Sequence, residues 1–65
     1  MTNEEPKVAD RGRYSTTETA KLLGIGRTTL YKYANAGLIK CGYRRTNNRP
    51  FFEGREILRL WRAKS

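Results

Sequence analysis

The middle of the chain holds six side chains that can donate hydrogen bonds, carry positive charge or do both: Arg27, Thr28, Thr29, Tyr31, Lys32 and Asn35. Arginine and lysine can bind guanine O6 and N7, threonine can contact a thymine methyl group, and asparagine can pair with adenine. No Asp or Glu occurs between Arg27 and Phe52. Because an ordinary solvated helix usually carries acids, these residues indicate contact with the edges of nucleic-acid bases.

A second polar group follows in residues 44–49, Arg-Arg-Thr-Asn-Asn-Arg, which we term the wing turn. Its candidate contact residues are Arg44, Arg45, Asn47 and Arg49. Such side chains suit a minor groove or its phosphates, where the negative potential is high. The sequence therefore predicts two contact regions for one polyanion.

Charge is distributed unevenly along the 65 residues. Residues 1–26 carry four basic and four acidic side chains, whereas residues 27–65 carry ten basic and two acidic ones, which accounts for the whole net charge of +8. A one-sided basic field attracts nucleic acid first and an anionic membrane surface second. A charged surface that serves only solubility is the plain alternative.

The residue types argue against an enzyme. The chain has no histidine, and its single cysteine, Cys41, can form neither an intrachain disulfide nor a zinc cage. No pair of acids in a polar pocket and no phosphate loop is recognisable. We therefore expect no catalysis, no cofactor and no metal, and we expect Cys41 to be a half-buried strand residue without a redox role.

The chain is long enough for one small domain. Residues 1–12 lack apolar periodicity and predict a disordered N-terminal tail, so the domain is expected over residues 13–65. No apolar leader and no stretch of about 20 apolar residues occurs. We therefore expect a cytoplasmic protein that does not enter a membrane.

Two helices separated by a short turn are predicted from local signals. Ser15 and Glu18 fit a capping box at the start of the first helix, and Gly24 ends that helix. Gly26 is the expected N-cap of the second helix, which Gly37 ends. At 100° per residue, Leu30, Tyr33 and Ala34 face the core, Thr28, Lys32 and Asn35 face outward, and Thr29 and Tyr31 lie on the flanks.

The rest of the chain predicts a hairpin and a closing helix. Residues 38–43 and 50–52 read as strands on either side of the wing turn, and Pro50, which has no amide donor, places the second strand at a sheet edge. A last helix over residues 54–63 buries Ile57, Leu60 and Trp61. The predicted fold is mainly α with a small β-hairpin, a winged helix-turn-helix of three helices plus wing. The predicted core comprises Leu23, Ile25, Leu30, Tyr33, Leu38, Phe52, Ile57 and Trp61.

The stretch YSTTETAKLLGIGRTTLYKYANAGLI resembles the opening of the excisionase-type helix-turn-helix family, a branch of the MerR superfamily of winged-helix DNA binders. The resemblance covers about residues 14–62 and implies that the second helix enters the major groove. Two positions depart from the family pattern. Gly26 stands where Ser or Thr usually caps the second helix, and Pro50 stands where MerR-like proteins tend to have a phosphate-contacting arginine, a task that Arg45 or Arg49 would take.

The resemblance implies a recombination directionality factor of a mobile element, which binds and bends double-stranded DNA beside an integrase and neighbouring copies of itself. A small phage-type transcriptional regulator and a basic adaptor for acidic protein or membrane partners stay open as alternatives. Because the chain stops four residues after Trp61, no ligand-sensing domain is expected. We expect a monomer in solution. The DNA target sequence and cooperative binding are left open.

Overall fold

The computed structural model describes residues 1–64 as three helices and a small sheet. The elements, in chain order, are β1 (Arg13–Ser15), α1 (Thr16–Leu23), α2 (Arg27–Asn35), β2 (Gly42–Tyr43), β3 (Pro50–Glu53) and α3 (Gly54–Lys64). The strands form one antiparallel sheet in the order β1-β3-β2. This architecture confirms the predicted winged helix-turn-helix fold.

Both ends of α1 follow the predicted signals. The Ser15 Oγ accepts a hydrogen bond from the Glu18 amide at 3.1 Å, and the Glu18 Oε1 accepts one from the Ser15 amide at 3.2 Å, which completes the capping box. Gly24 then ends the helix in the left-handed conformation, with a φ of 69°. The chain turns through Ile25, and α2 begins directly after Gly26, so the helix-turn-helix unit is set by local sequence.

The end of α2 corrects one core prediction. The Leu38 amide donates to the Tyr33 carbonyl at 3.0 Å and the Gly37 amide donates to the Ala34 carbonyl at 3.1 Å, the hydrogen-bond pattern of a Schellman motif. The motif leaves Leu38 37% exposed, whereas Ile39 is 1% exposed and enters the core. The predicted strand over residues 38–43 is therefore reduced to Gly42–Tyr43.

The sheet contains a strand that the sequence did not predict. β1 pairs with β3 through Tyr14 and Phe52, so β3 is the central strand rather than an edge. Pro50 is tolerated there because it is the first residue of β3 and pairs only with Tyr43 of β2. The prediction of an edge strand at Pro50 was wrong because β1 supplies a second neighbour.

The hydrophobic core lies between the helices and the inner face of the sheet. Five residues that were predicted to be buried are fully buried: Leu23, Leu30, Phe52, Ile57 and Leu60. The remaining predicted core residues, Ile25, Tyr33 and Trp61, are partly buried and pack against this cluster. Within residues 1–64, no helix has the length and apolar composition that crossing a membrane requires.

The N-terminal segment differs from the disordered tail that its composition indicates. Its backbone pairs with both ends of the helical layer: the Thr2 amide donates to the Leu23 carbonyl at 3.0 Å, and the Gly54 amide donates to the Gly12 carbonyl at 2.9 Å. Helix termini leave backbone groups without intrahelical partners. The segment satisfies some of those groups, an interaction that no sequence periodicity records.

Candidate nucleic-acid interface

The outward face of α2 is polar and free of acids. Of the six residues of α2 that were predicted to contact DNA, Thr29 is half-buried and five are exposed: Arg27, Thr28, Tyr31, Lys32 and Asn35. Leu30, which is fully buried, anchors the opposite face. The core therefore fixes the orientation of α2 and turns its hydrogen-bonding side chains toward solvent.

The N-terminal end of α2 is also open to an anion. Gly26 is the N-cap and makes no side-chain cap hydrogen bond, and the first turn of α2 contains no acidic residue. The first amides of a helix have no intrahelical acceptor and stand at the positive end of its dipole. A phosphate can accept hydrogen bonds from such amides.

The wing turn is an ordered turn that connects β2 to β3. The Arg44 amide donates to the Arg49 carbonyl at 2.9 Å, and the Asn48 amide donates to the Arg44 carbonyl at 2.8 Å. The Asn47 Oδ1 accepts from the Arg49 amide at 3.0 Å, so this predicted contact residue also orders the turn. The side chains of Arg44, Arg45, Asn47 and Arg49 are all exposed.

Acidic side chains compensate the arginines of α3 but not those of the candidate interface. Three ion pairs join α3 arginines to acids: Arg55–Glu53 at 3.1 Å, Arg59–Glu56 at 2.8 Å and Arg62–Glu5 at 3.3 Å. Within residues 1–64, no ion pair forms at the cations of α2 or of the wing turn. Positive charge is therefore uncompensated where base and phosphate contacts were predicted.

Surface grooves connect the wing to both helices of the helix-turn-helix unit. Tyr31 and Asn35 of α2 line a groove of about 560 Å³ together with Tyr43 of β2. A second groove, of about 330 Å³, brings residues 15–17 at the start of α1 beside Arg44 and Arg49. One groove thus joins α2 to β2, and the other joins the wing turn to the start of α1.

Cys41 lies in the wall of the α2–β2 groove and is half-buried. Burial raises the pKa of its thiol, and hydrogen bonds involving the Tyr43 side chain and the Phe51 backbone offset part of that increase. A thiol with a raised pKa is protonated at neutral pH and is a weak nucleophile.

Sequence reasoning missed basic residues on the outer face of the sheet. The Arg13 guanidinium lies over the Phe51 ring, 4.8 Å from its centroid. The polar-apolar-polar order of Arg13, Tyr14 and Ser15 fits a strand with one buried face. Three residues are too few for that alternation to predict a strand.

The helix-turn-helix unit of α1 and α2, followed by the ordered wing turn, defines a winged helix-turn-helix domain, a class of fold that binds DNA. The uncompensated positive charge of α2 and the wing turn agrees with that class. Residues 13–65 match the family model described as a helix-turn-helix domain. The chain belongs to this family. No significant match is found among curated proteins or among solved structures.

Proposed function

We propose that this chain binds double-stranded DNA sequence-specifically, with α2 in the major groove and the wing turn on the adjacent minor groove or its phosphates. The observation that carries the proposal is the placement of charge: acids compensate the arginines of α3, while the cations of α2 and the wing turn have no acidic partner among residues 1–64. Uncompensated arginine and lysine side chains are the main source of affinity for DNA phosphates.

The side chains of α2 divide by position. Thr28 and Lys32 occupy the centre of the outward face and are assigned to base edges. Arg27 and Tyr31 flank its N-terminal half, with Thr29 beside them, and Asn35 lies one turn further along. Lysine addresses guanine and threonine a thymine methyl group, so the site favours sequences with guanine and thymine on neighbouring steps.

Phosphate contacts are assigned to the wing turn. Arg44, Arg45 and Arg49 are exposed around a hydrogen-bonded turn, which holds their backbone in place before DNA arrives. Such contacts fix the register of a protein on the duplex and carry no sequence information directly. The proposed division is therefore base reading by α2 and positioning by the wing turn.

The test begins with selection of a preferred site from random duplexes by the protein. Fluorescence anisotropy then compares the selected duplex with a scrambled one of equal length at one salt concentration. We expect the selected duplex to bind at least 10³-fold more tightly, the lower bound typical of specific recognition. Equal binding to the two duplexes would reduce the proposal to nonspecific DNA binding.

At the biological level, we propose the role of an excisionase in the MerR superfamily, acting in the cytoplasm as a monomer that assembles with neighbouring copies on DNA. The resemblance of residues 14–39 to the excisionase-type family supports this role. Where an integrase gene adjoins the gene of this chain, the purified chain should activate excision by that integrase in vitro. Unchanged excision, together with altered transcription from a nearby promoter, would favour a regulator.

A further inference from the structure

The outer face of the sheet carries a second basic surface, separate from α2. Paired residues of an antiparallel sheet point to the same face, and neighbours along a strand point to opposite faces. Phe52 is fully buried on the inner face, so Phe51 and Arg13, which pair with Ser15 and Glu53, belong to the outer face. Five arginines lie on or beside it: Arg11, Arg13, Arg44, Arg45 and Arg55. We term this surface the sheet-face strip.

Phe51 organises the centre of the strip. Its ring lies across Gly42, where an added Cβ would come within 2.6 Å of the Phe51 Cζ. The guanidinium carbons of Arg13 and Arg44 lie 4.8 Å and 5.9 Å from the ring centroid. Cation–π contact on the ring face leaves the N–H edges of a guanidinium available to an external acceptor. Phe51 therefore holds one arginine of β1 and one of the wing turn on a single surface.

Two shallow depressions make the strip continuous. One, of about 340 Å³, is lined by Arg11, Arg13, Glu53 and Arg55. The other, of about 510 Å³, is lined by Arg13 and by residues of the wing turn. Arg13 belongs to both. Glu53 is the one acid in these linings, and Arg55 pairs with it at 3.1 Å, so the other four arginines leave a positive surface from the wing turn to the start of α3.

The backbone beneath Arg11 and Arg13 is fixed on both sides. The Gly12 amide donates to the Ala9 carbonyl at 2.9 Å, and the Gly12 carbonyl accepts from the Gly54 amide at 2.9 Å. Arg13 then enters the pairing of β1 with β3. Both arginines are therefore carried by hydrogen-bonded backbone, although Arg11 lies in the segment that was predicted as a tail and Arg13 is the first residue of the predicted domain.

We propose that the sheet-face strip binds phosphates of the same DNA duplex, beyond the segment that α2 and the wing turn contact. The inference rests on the proposed function. Arg44 is common to the wing turn and the strip, so the strip begins at a residue that the proposed function places on the DNA backbone and continues from it to Arg13 and Arg11. The planar forks of arginine match phosphate oxygens in bidentate hydrogen bonds, and this charge complementarity favours DNA as the occupant.

The experiment compares two duplexes that share the selected site: a short one that ends at the site and a long one with about one helical turn of flanking DNA on each side. The variants are R11Q/R13Q and R11K/R13K, with R59Q as the control, because Arg59 pairs with Glu56 on α3, outside the strip. Binding is measured by anisotropy over a range of salt concentrations, after thermal melting has established that each variant is folded.

On the long duplex, R11Q/R13Q should reduce the slope of log K against log salt by about 2, since each phosphate contact contributes about 0.9. On the short duplex it should match the parent. R11K/R13K should keep the parental slope because the charge is retained, and R59Q should change neither duplex. If R11Q/R13Q destabilises the fold, the single variant R11Q replaces it. R11Q should then bind the long duplex more weakly than the parent does and bind the short duplex equally well.

The proposal that the sheet-face strip binds phosphates would be overturned if R11Q/R13Q bound the long duplex as tightly as the parent does, or if it lost equal affinity for both duplexes. Base reading by α2 would be unaffected by either result. Loss of binding to immobilised polyglutamate with unchanged DNA binding would assign the strip to an acidic protein and would also overturn the proposal. Failure of the proposed function is distinct, because the parent protein would then show no preference for the selected site.

Discussion

The indole Nε1–H of Trp61, in α3, donates a hydrogen bond to the Thr2 carbonyl at 3.1 Å. The amide of Thr2 in turn donates to the Leu23 carbonyl at 3.0 Å, at the end of α1. One residue of the N-terminal segment thus bridges the first and last helices of the domain.

Replacement of Trp61 separates ring packing from this hydrogen bond. Trp61→Ala should lower the free energy of unfolding by about 2–3 kcal/mol, below the value for a fully buried tryptophan because the ring is only partly buried. Trp61→Phe keeps an aromatic ring and loses the donor, and should cost about 1 kcal/mol. Urea denaturation followed by circular dichroism measures both. Equal stability of Trp61→Ala and the parent would show that α3 does not pack through this ring.

Gly54 tests whether the N-terminal segment belongs to the folded domain. A Cβ at Gly54 would collide with the Ala9 carbonyl oxygen, so Gly54→Ala must displace the segment from the start of α3. We expect the free energy of unfolding to fall by about 1–3 kcal/mol, the range for strain in a packed region. The Arg55 amide, which donates a hydrogen bond to the Asp10 carbonyl at 3.0 Å, should also exchange its hydrogen faster.

Gly26→Ser is the matched control, because a Cβ at Gly26 meets no atom within 4 Å. A serine there supplies the missing N-cap of α2 and should keep or raise stability by a few tenths of a kcal/mol. If Gly54→Ala were as stable as the parent, with unchanged exchange at Arg55, the segment would be a mobile tail after all.

Sequence reasoning worked where the determining interactions are local. Ser15 and Glu18 are three residues apart, and Gly24 acts on the helix that it ends, so the boundaries of α1 could be read directly. β1 could not be predicted because its partner, β3, lies at the other end of the domain and only three residues pair. Leu38 was predicted in the core, and Ile39 occupies it instead, because the Schellman motif rather than hydrophobicity decides which of the two turns inward.

In the candidate site, too, the features that depend on local sequence were predicted, and those that depend on distant backbone pairing were missed. The exposure of α2 and wing-turn side chains followed from helical periodicity and turn composition. Arg11 and Arg13 were missed because the charge count treated residues 1–26 as neutral, whereas their position depends on backbone pairing with β3 and α3. Which side chains touch bases stays a prediction for every residue of α2.

Arg45 tests the assignment of the wing turn to phosphates. If about five basic side chains neutralise phosphates, log K should fall with log salt at a slope of about −4 to −5. Arg45→Ala should reduce this slope by about one and weaken selected and scrambled duplexes alike. Arg59→Ala, which removes a cation already paired with Glu56, should leave the slope unchanged. A slope near zero for the parent, or tighter binding to anionic vesicles than to DNA, would favour a membrane adaptor.

Lys32 distinguishes base reading from general attraction to DNA. It is exposed near the centre of the outward face of α2, and Lys32→Ala should cost about 1–3 kcal/mol more on the selected duplex than on a scrambled one. Lys64→Ala is the control, since the Lys64 ammonium lies over the Tyr33 ring, 5.2 Å from its centroid, away from that face. The measurement is the ratio of the two dissociation constants for each variant at fixed salt. The prediction is that Lys32→Ala lowers the ratio of the scrambled-duplex to the selected-duplex dissociation constant about 5- to 150-fold and that Lys64→Ala leaves it unchanged; equal losses on both duplexes for Lys32→Ala would contradict base reading by α2.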